Sequence, residues 1–305
     1  ATVMAGFGAG LFGHGTLTAT MRAAPREQIG LSLGAWGAVQ TTAAGAAVAI
    51  GGVGYVAGQL GAGRNPFTVA PNRTDAASGE PKILRSANGK LTVDLVVAET
   101  QVEIEGVKVR TKTYNGSLPG PTLMAKPGDL ITVNFKNELA ESTNLHAHGL
   151  HISPEGNSDN VMLEVRPGET FTYEYQLAEN HPSGLSWYHP HLHGAAANQL
   201  FAGLYGAIVV EDAKPVEANR ERVLVFSDID FDDAGNLAEP GPMALMMGRE
   251  GKRILLNGQA QPDLDFDAGA VEHWRIVNAC SSRYLHLHWS AGKAELIAID
   301  GYRFE

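Results

Sequence analysis

The sequence predicts an all-β protein, a sandwich or barrel of short strands, standing behind an apolar amino-terminal stretch that reads as a helical membrane hairpin. Three observations predict this. Short segments of strand character recur from residue 102 onward, parted by turn signals such as PGD (127–129) and PGE (167–169). Strands at that spacing build sandwiches or barrels. After residue 64 no stretch shows the periodicity of an amphipathic helix. Before residue 64 the texture is different: Ala1–Met21 and Gln28–Gly63 contain no charged residue, and only the break from Arg22 to Glu27, with Pro25, separates them.

Each element follows from that division. The two charge-free runs are long enough to cross a bilayer, and small residues such as Gly30 and Gly34 would let two helices approach closely. A flexible Gly/Ala linker is the competing reading, because neither residue is strongly hydrophobic. Residues 64–87 are polar and rich in turn formers, and read as a linker. VEIEGVKVRTKTY (102–114) alternates around a Glu105-Gly106 turn. DLITVNF (129–135), ETFTYEYQL (169–177), LYGAIVVE (204–211), RVLVFSD (222–228), RILLNG (253–258), HWRIVN (273–278) and ELIAID (295–300) continue the series. The chain opens on Ala1 and stops at Glu305 after a strand-like run, so both ends look cut.

Composition narrows the function. The net charge of −10, with no basic block, argues against nucleic acid as a partner. There are eleven histidines and one cysteine. A single cysteine excludes an internal disulfide and a cysteine-rich zinc site, so a bound metal would have to rely on histidine. Two strings answer that need: NLHAHGLH (144–151) and WYHPHLHG (187–194). Side chains alternate along a strand, so His146 and His148 would share one face, and His189 and His191 another pair of same-side positions. Two such pairs on neighbouring strands would place four imidazoles around one point. Imidazole suits copper, zinc, iron and nickel. Tyr188 and Pro190 would stiffen the second string.

The region 88–212 resembles the first cupredoxin domain of three-domain multicopper oxidases, the laccase and bilirubin-oxidase superfamily. YNGSLPGPTLMAKPGDLITVNFKNEL (114–139), NLHAHGLHISPEGNSDN (144–160) and SGLSWYHPHLHGAAANQLFAGLYGAIVVED (183–212) carry the likeness. Residues 253–287 and 295–305 resemble strands of the second domain. The resemblance implies a Greek-key β-sandwich for 88–213, a plastocyanin-like first domain, and an incomplete second cupredoxin domain over 220–305. It implies that His146 is a ligand of a type 2 copper, and that His148, His189 and His191 are ligands of a type 3 copper pair. Together these coppers reduce dioxygen to water with electrons from a small reductant, such as a phenol, a pigment or a metal ion. Asp159 matches the acidic residue that helps deliver protons there, with a looser spacing from His148 than in some members; a solvated loop aspartate is the alternative. The family's remaining ligands, including the cysteine of the type 1 copper, come from a carboxy-terminal domain whose strings do not occur here. The fragment alone is therefore expected to be inactive. The resemblance places the oxidase part in the periplasm or outside the cell, with membrane anchoring through residues 1–63.

The other histidines and sulfur groups take duller readings. His151, His181 and His193 are expected to be non-ligands. His286 and His288 are expected on a structural strand, Cys280 as a buried thiol, and Met243, Met246 and Met247 as packing residues. GLFGHGTLTATMRAAPREQIGLSLGAWGAVQTTAAG (10–45) resembles the terminal hairpin of major-facilitator membrane proteins linked to bacteriochlorophyll. Rival functions follow: a copper-free cupredoxin scaffold, or a pigment-handling membrane protein with an incidental tail. A copper nitrite reductase would need a type 1 cysteine in its first domain, and none is present.

Overall fold

The computed structural model describes residues 80–289 and 292–304. The membrane hairpin expected over 1–63, and the linker as far as residue 79, lie outside the described residues. Among the described residues no helix is long and apolar enough to cross a membrane.

Two sheets enclose the main core. The first has four strands: β1 (Ile83–Arg85) belongs elsewhere, and β2 (Lys90–Ile104), β3 (Val107–Tyr114), β5 (Leu130–Asn137) and β7 (Thr170–Gln176) run in the order β3-β2-β5-β7. The second has five: β1, β4 (Thr122–Ala125), β6 (His146–His148), β8 (Gly184–His189) and β9 (Gly206–Val210), in the order β1-β4-β9-β8-β6. Leu91, Val93, Leu95 and Val97 of β2 bury alternate side chains against Ile131, Val133 and Phe135 of β5 and against Leu123, Ile208 and Tyr188 of the facing sheet. The period of two is what one wetted face and one buried face require. Strand β2 starts at Lys90 and not at Val102, because KLTVDLVV already carries that alternation. The Glu105-Gly106 turn appears where expected, with both residues at positive φ (51° and 77°), as a two-residue hairpin turn demands. Strand β1 falls inside the span read as linker and pairs with β4 in parallel.

The middle strands of the five-stranded sheet, β4 and β9, are buried on both faces. Beyond that sheet lies a third: β10 (Arg220–Ile229), β11 (Arg253–Leu256), β12 (Gln259–Ala260) and β13 (Glu272–Asn278), in the order β12-β11-β10-β13. Val223 and Val225 of β10 and Val277 of β13 pack on Met124, Ala207 and Val209. Hence β4 and β9 have no exposed residue, and LYGAIVVE reads as a continuous apolar run where β2 alternates. Gly258, in the turn from β11 to β12, lies so close to the first sandwich that a Cβ there would sit 2.0 Å from the Leu118 carbonyl oxygen. Arg222 is fully buried and is held by Glu272 at 2.9 Å, Asp265 and Glu80. A last hairpin, β14 (Ala298–Ile299) and β15 (Tyr302–Arg303), closes the described chain.

Three expectations need correcting. Among the described residues two helices of six residues occur: α1 (Ala196–Phe201) and α2 (Pro242–Met247). Both are too short to show a helical period. Met243, Met246 and Met247 on α2 are exposed and not packed. His286 and His288 are exposed and lie on no strand, since no neighbouring strand among the described residues offers them a ladder.

Candidate metal centre

Strand β6 is three residues long and pairs antiparallel with β8, matching His146 with His189, Ala147 with Tyr188, and His148 with Trp187. Ala147 and Tyr188 turn into the sandwich core. The Tyr188 hydroxyl donates to the Pro121 carbonyl at 2.7 Å, fixing the strand from inside. Alternation then sends His146, His148 and His189 to the opposite side of the sheet. Their ligand nitrogens lie within 4.8 Å of one another. The His146 ring centre is 5.0 Å from that of His148 and 5.6 Å from that of His189.

His191 arrives by another route. Pro190 has no N–H to give a ladder, and β8 ends at His189. Same-strand alternation therefore does not place His191, contrary to the expectation from spacing. Its ring nevertheless stands 5.0 Å from that of His146 and 6.2 Å from that of His189. All four predicted histidines come together.

Hydrogen bonds outside the cluster set which nitrogen is free in two of the rings. His146 Nδ1 bonds Asp159 Oδ1 at 2.9 Å, and the same oxygen accepts the Ala147 N–H at 2.9 Å. His189 Nδ1 bonds the Pro190 carbonyl at 2.8 Å. A ring nitrogen facing an oxygen acceptor carries the proton, which leaves the lone pair on Nε2. His189 Nε2 is buried and has no hydrogen-bond partner among the described residues. A buried acceptor without a donor is costly, and a metal ion satisfies it. The residues thus fit a metal of the kind imidazole prefers. Burial pushes His189 down to about 4, and the neighbouring histidines add to the effect. Burial first, then His146 and His191, also lower His148. Both rings stay neutral where metal ligation needs them so.

Two contributors were not singled out by sequence reasoning. Trp187 stacks on His189 at 4.4 Å and on His148 at 5.3 Å, with planes tilted by 20° and 24°. Its role became visible only with the β6–β8 register. Asn144 is fully buried, and its Oδ1 accepts the His191 backbone N–H at 2.6 Å. It stood inside the first string, and its polarity next to buried Leu145 was the available signal. Gly149, at φ 87°, follows β6 where a Cβ would come within 2.9 Å of Ser186 Oγ.

The remaining histidines separate cleanly. His181 is buried; its Nε2 accepts the His151 N–H at 2.9 Å and its Nδ1 donates to the Pro182 carbonyl at 2.8 Å. His151 bonds the Tyr302 hydroxyl at 2.6 Å through Nε2, and His193 is exposed. Cys280 is half-buried; burial, with Asp228 adding to it, pushes its thiol up to about 12.

Residues 96–215 match the family model for multicopper oxidase, and residues 1–69 match that for PUCC protein. Copper resistance protein A of Escherichia coli is 39% identical over 141 residues, which is 44% of this chain and 22% of that protein. The crystal structure of a multi-copper oxidase from Pseudomonas Thermotolerans is 31% identical with a TM-score of 0.57, covering 64% of this chain and 47% of that one. Protein PucC of Rhodovulum sulfidophilum is 77% identical over 52 residues, 17% of this chain and 12% of that protein. The chain spans less than half the length of each of these relatives.

Proposed function

Residues 96–215 being a multicopper oxidase segment, we propose that the chain supplies half of a three-copper centre in an enzyme that oxidises a small reductant and reduces dioxygen to water. In this reading His146 holds a type 2 copper, and His148, His189 and His191 hold a type 3 pair. The observation that carries it is the buried, unpartnered Nε2 of His189 inside a cluster of three ligand nitrogens within 4.8 Å. Bound copper would supply open positions for dioxygen and a store for the electrons.

The chain's own residues prepare that chemistry. Asp159 and the Pro190 carbonyl fix the tautomers of His146 and His189, so that each presents Nε2. Trp187 covers one side of His148 and His189 and keeps water from that face. Asp159 is the carboxylate closest in role to a proton donor and acceptor; its Oδ1 sits on the outer nitrogen of His146 and reaches the centre through that ring. His148 and His191 are exposed, which leaves their outer sides for ligands from a further domain. That domain would also bring the type 1 copper, so the described residues alone should not turn over.

We assign residues 88–213 to a first cupredoxin domain and 220–305 to part of a second. The oxidase part belongs in the periplasm or outside the cell. The PUCC match of residues 1–69 favours membrane attachment through 1–63, and a pigment-handling role remains the competing reading for that stretch alone. Copper titration of the purified chain tests the proposal. The His146→Ala/His189→Ala double variant should lose copper binding, and unchanged copper content in it would falsify the assignment.

A further inference from the structure

We propose that Asn144 is the positioning residue that holds His191 in the metal centre, a role that rests on the copper reading above. His191 needs such a residue. Three of the four imidazoles are set by the β6–β8 ladder, but Pro190 ends that ladder at His189. Beyond Pro190 no cross-strand partner among the described residues fixes the direction of the next side chain, and the His191 side is exposed.

The Asn144 carboxamide takes over from the ladder. Its Oδ1 accepts the backbone N–H of His191 at 2.6 Å. Its Nδ2 donates to two carbonyls, of Val161 at 3.1 Å and of Leu163 at 3.0 Å. Those carbonyls fix the sense of the amide. Turned over, Oδ1 would face two acceptors and Nδ2 would face the His191 N–H, so all three bonds would be lost. In a fully buried site that loss is severe.

The residue is itself well anchored. Thr143 exchanges backbone bonds with Val165 at 2.8 and 3.1 Å, and its hydroxyl pairs with Gln199 Oε1 at 2.8 Å. On the other side the Leu145 N–H donates to the Tyr173 hydroxyl at 3.1 Å. One carboxamide thus joins three pieces: the strand that carries His146, the loop that follows Asp159, and the chain at His191. Asp159 fixes the ring of His146 from the same loop, and Asn144 fixes where that loop and His191 stand relative to each other. The backbone at His191 and the loop that follows Asp159 are tied together at this one position.

The test uses the full chain and two substitutions. Asn144→Leu keeps the volume and removes the acceptor; Asn144→Asp keeps an acceptor for His191 and sets a carboxylate against the Val161 and Leu163 carbonyls. Two readouts are taken. In the metal-free chain, hydrogen exchange of the His191 amide should be slow in the parent and faster in Asn144→Leu. With cupric ion alone as the probe, Asn144→Leu should bind about tenfold more weakly, the size expected when a group behind a ligand is removed. In a His191→Ala background the same change should cost no further affinity, because additivity fails for residues that act through one another. Asn144→Asp should be less stable than the parent yet bind copper more tightly than Asn144→Leu. A purely structural role would instead make affinity follow stability.

Equal His191 exchange in the parent and Asn144→Leu overturns the proposal whatever copper does. So does an affinity loss that persists without His191. A parent chain that protects the His191 amide but binds no cupric ion overturns the copper reading, and with it the metal role of Asn144, while the hydrogen bond itself stands. If Asn144→Leu does not fold, Asn144→Asp carries the comparison: retained binding supports the proposal, and a loss equal with and without His191 overturns it.

Discussion

The four metal-facing histidines differ in how they are held, and the difference can be measured residue by residue. His189 is stacked between Trp187 and His148, and its Nδ1 is spent on the Pro190 carbonyl. Replacing Trp187 by Ala removes a stacked ring from two ligands at once; the metal-free protein should lose about 2 kcal/mol of stability, within the usual range for a half-buried truncation, as read by denaturant unfolding. Trp187→Phe keeps an aromatic face and should recover most of that loss. The lone cysteine gives a prediction with a pH sign. Its thiol is pushed up by burial and by Asp228 to about 12, and the thiolate is the reactive form. Iodoacetamide should therefore label Cys280 slowly at pH 8 in the folded chain, with the rate climbing as pH rises toward that value. Fast labelling at pH 8, followed by mass spectrometry, would show the thiol is not in this setting.

At the scale of elements, much of the fold was legible because strands announce themselves by alternation and turns by their residues. The Glu105-Gly106 turn, β5, β7, β10, β11 and β13 follow directly from the sequence pattern. What was not legible depended on register. His148 faces Trp187 only because β6 pairs with β8 in one particular alignment, and no spacing rule gives that alignment. Pro190 was visible, but its effect of ending β8 and freeing His191 from the ladder was not. The short helices α1 and α2 span six residues each, too few for a period to declare itself. An element-scale prediction concerns the β11–β12 turn. Gly258 has φ 78° and no room for a Cβ beside the Leu118 carbonyl. Gly258→Ala should cost roughly 1–3 kcal/mol, the usual range for forced backbone strain, seen as a lower denaturant midpoint. An unchanged midpoint would mean the third sheet does not press on residue 118.

For the molecule as a whole, the decisive feature is the five-stranded sheet covered on both sides. Ala207, Val209 and Tyr205 face the third sheet and are buried only while it is there. Arg275 pairs with Asp212 at 2.7 Å and Arg253 with Glu105 at 2.7 Å across the same boundary. A chain cut after residue 212 should therefore expose an apolar wall, bind a hydrophobic dye and self-associate, whereas the parent should do neither at that wall. Size-exclusion chromatography with dye fluorescence decides it, and a monomeric, dye-silent truncation would refute the shared burial. Arg222 adds a second whole-molecule test. It is buried with Glu272, and Arg222→Met leaves that carboxylate with only the Trp274 N–H at 2.7 Å and the more distant Arg220, so the protein should lose stability, by about 1–3 kcal/mol, in thermal or denaturant unfolding.

The doubly covered sheet also has a history built into it. A chain is made from its amino terminus onward, so strands β4, β6, β8 and β9 are all synthesised before β10 and β13. Until then the newborn sandwich carries a greasy back, with Trp187, Ala207 and Val209 uncovered. The support behind Trp187 is completed late in synthesis, by strands that contribute none of the four imidazoles.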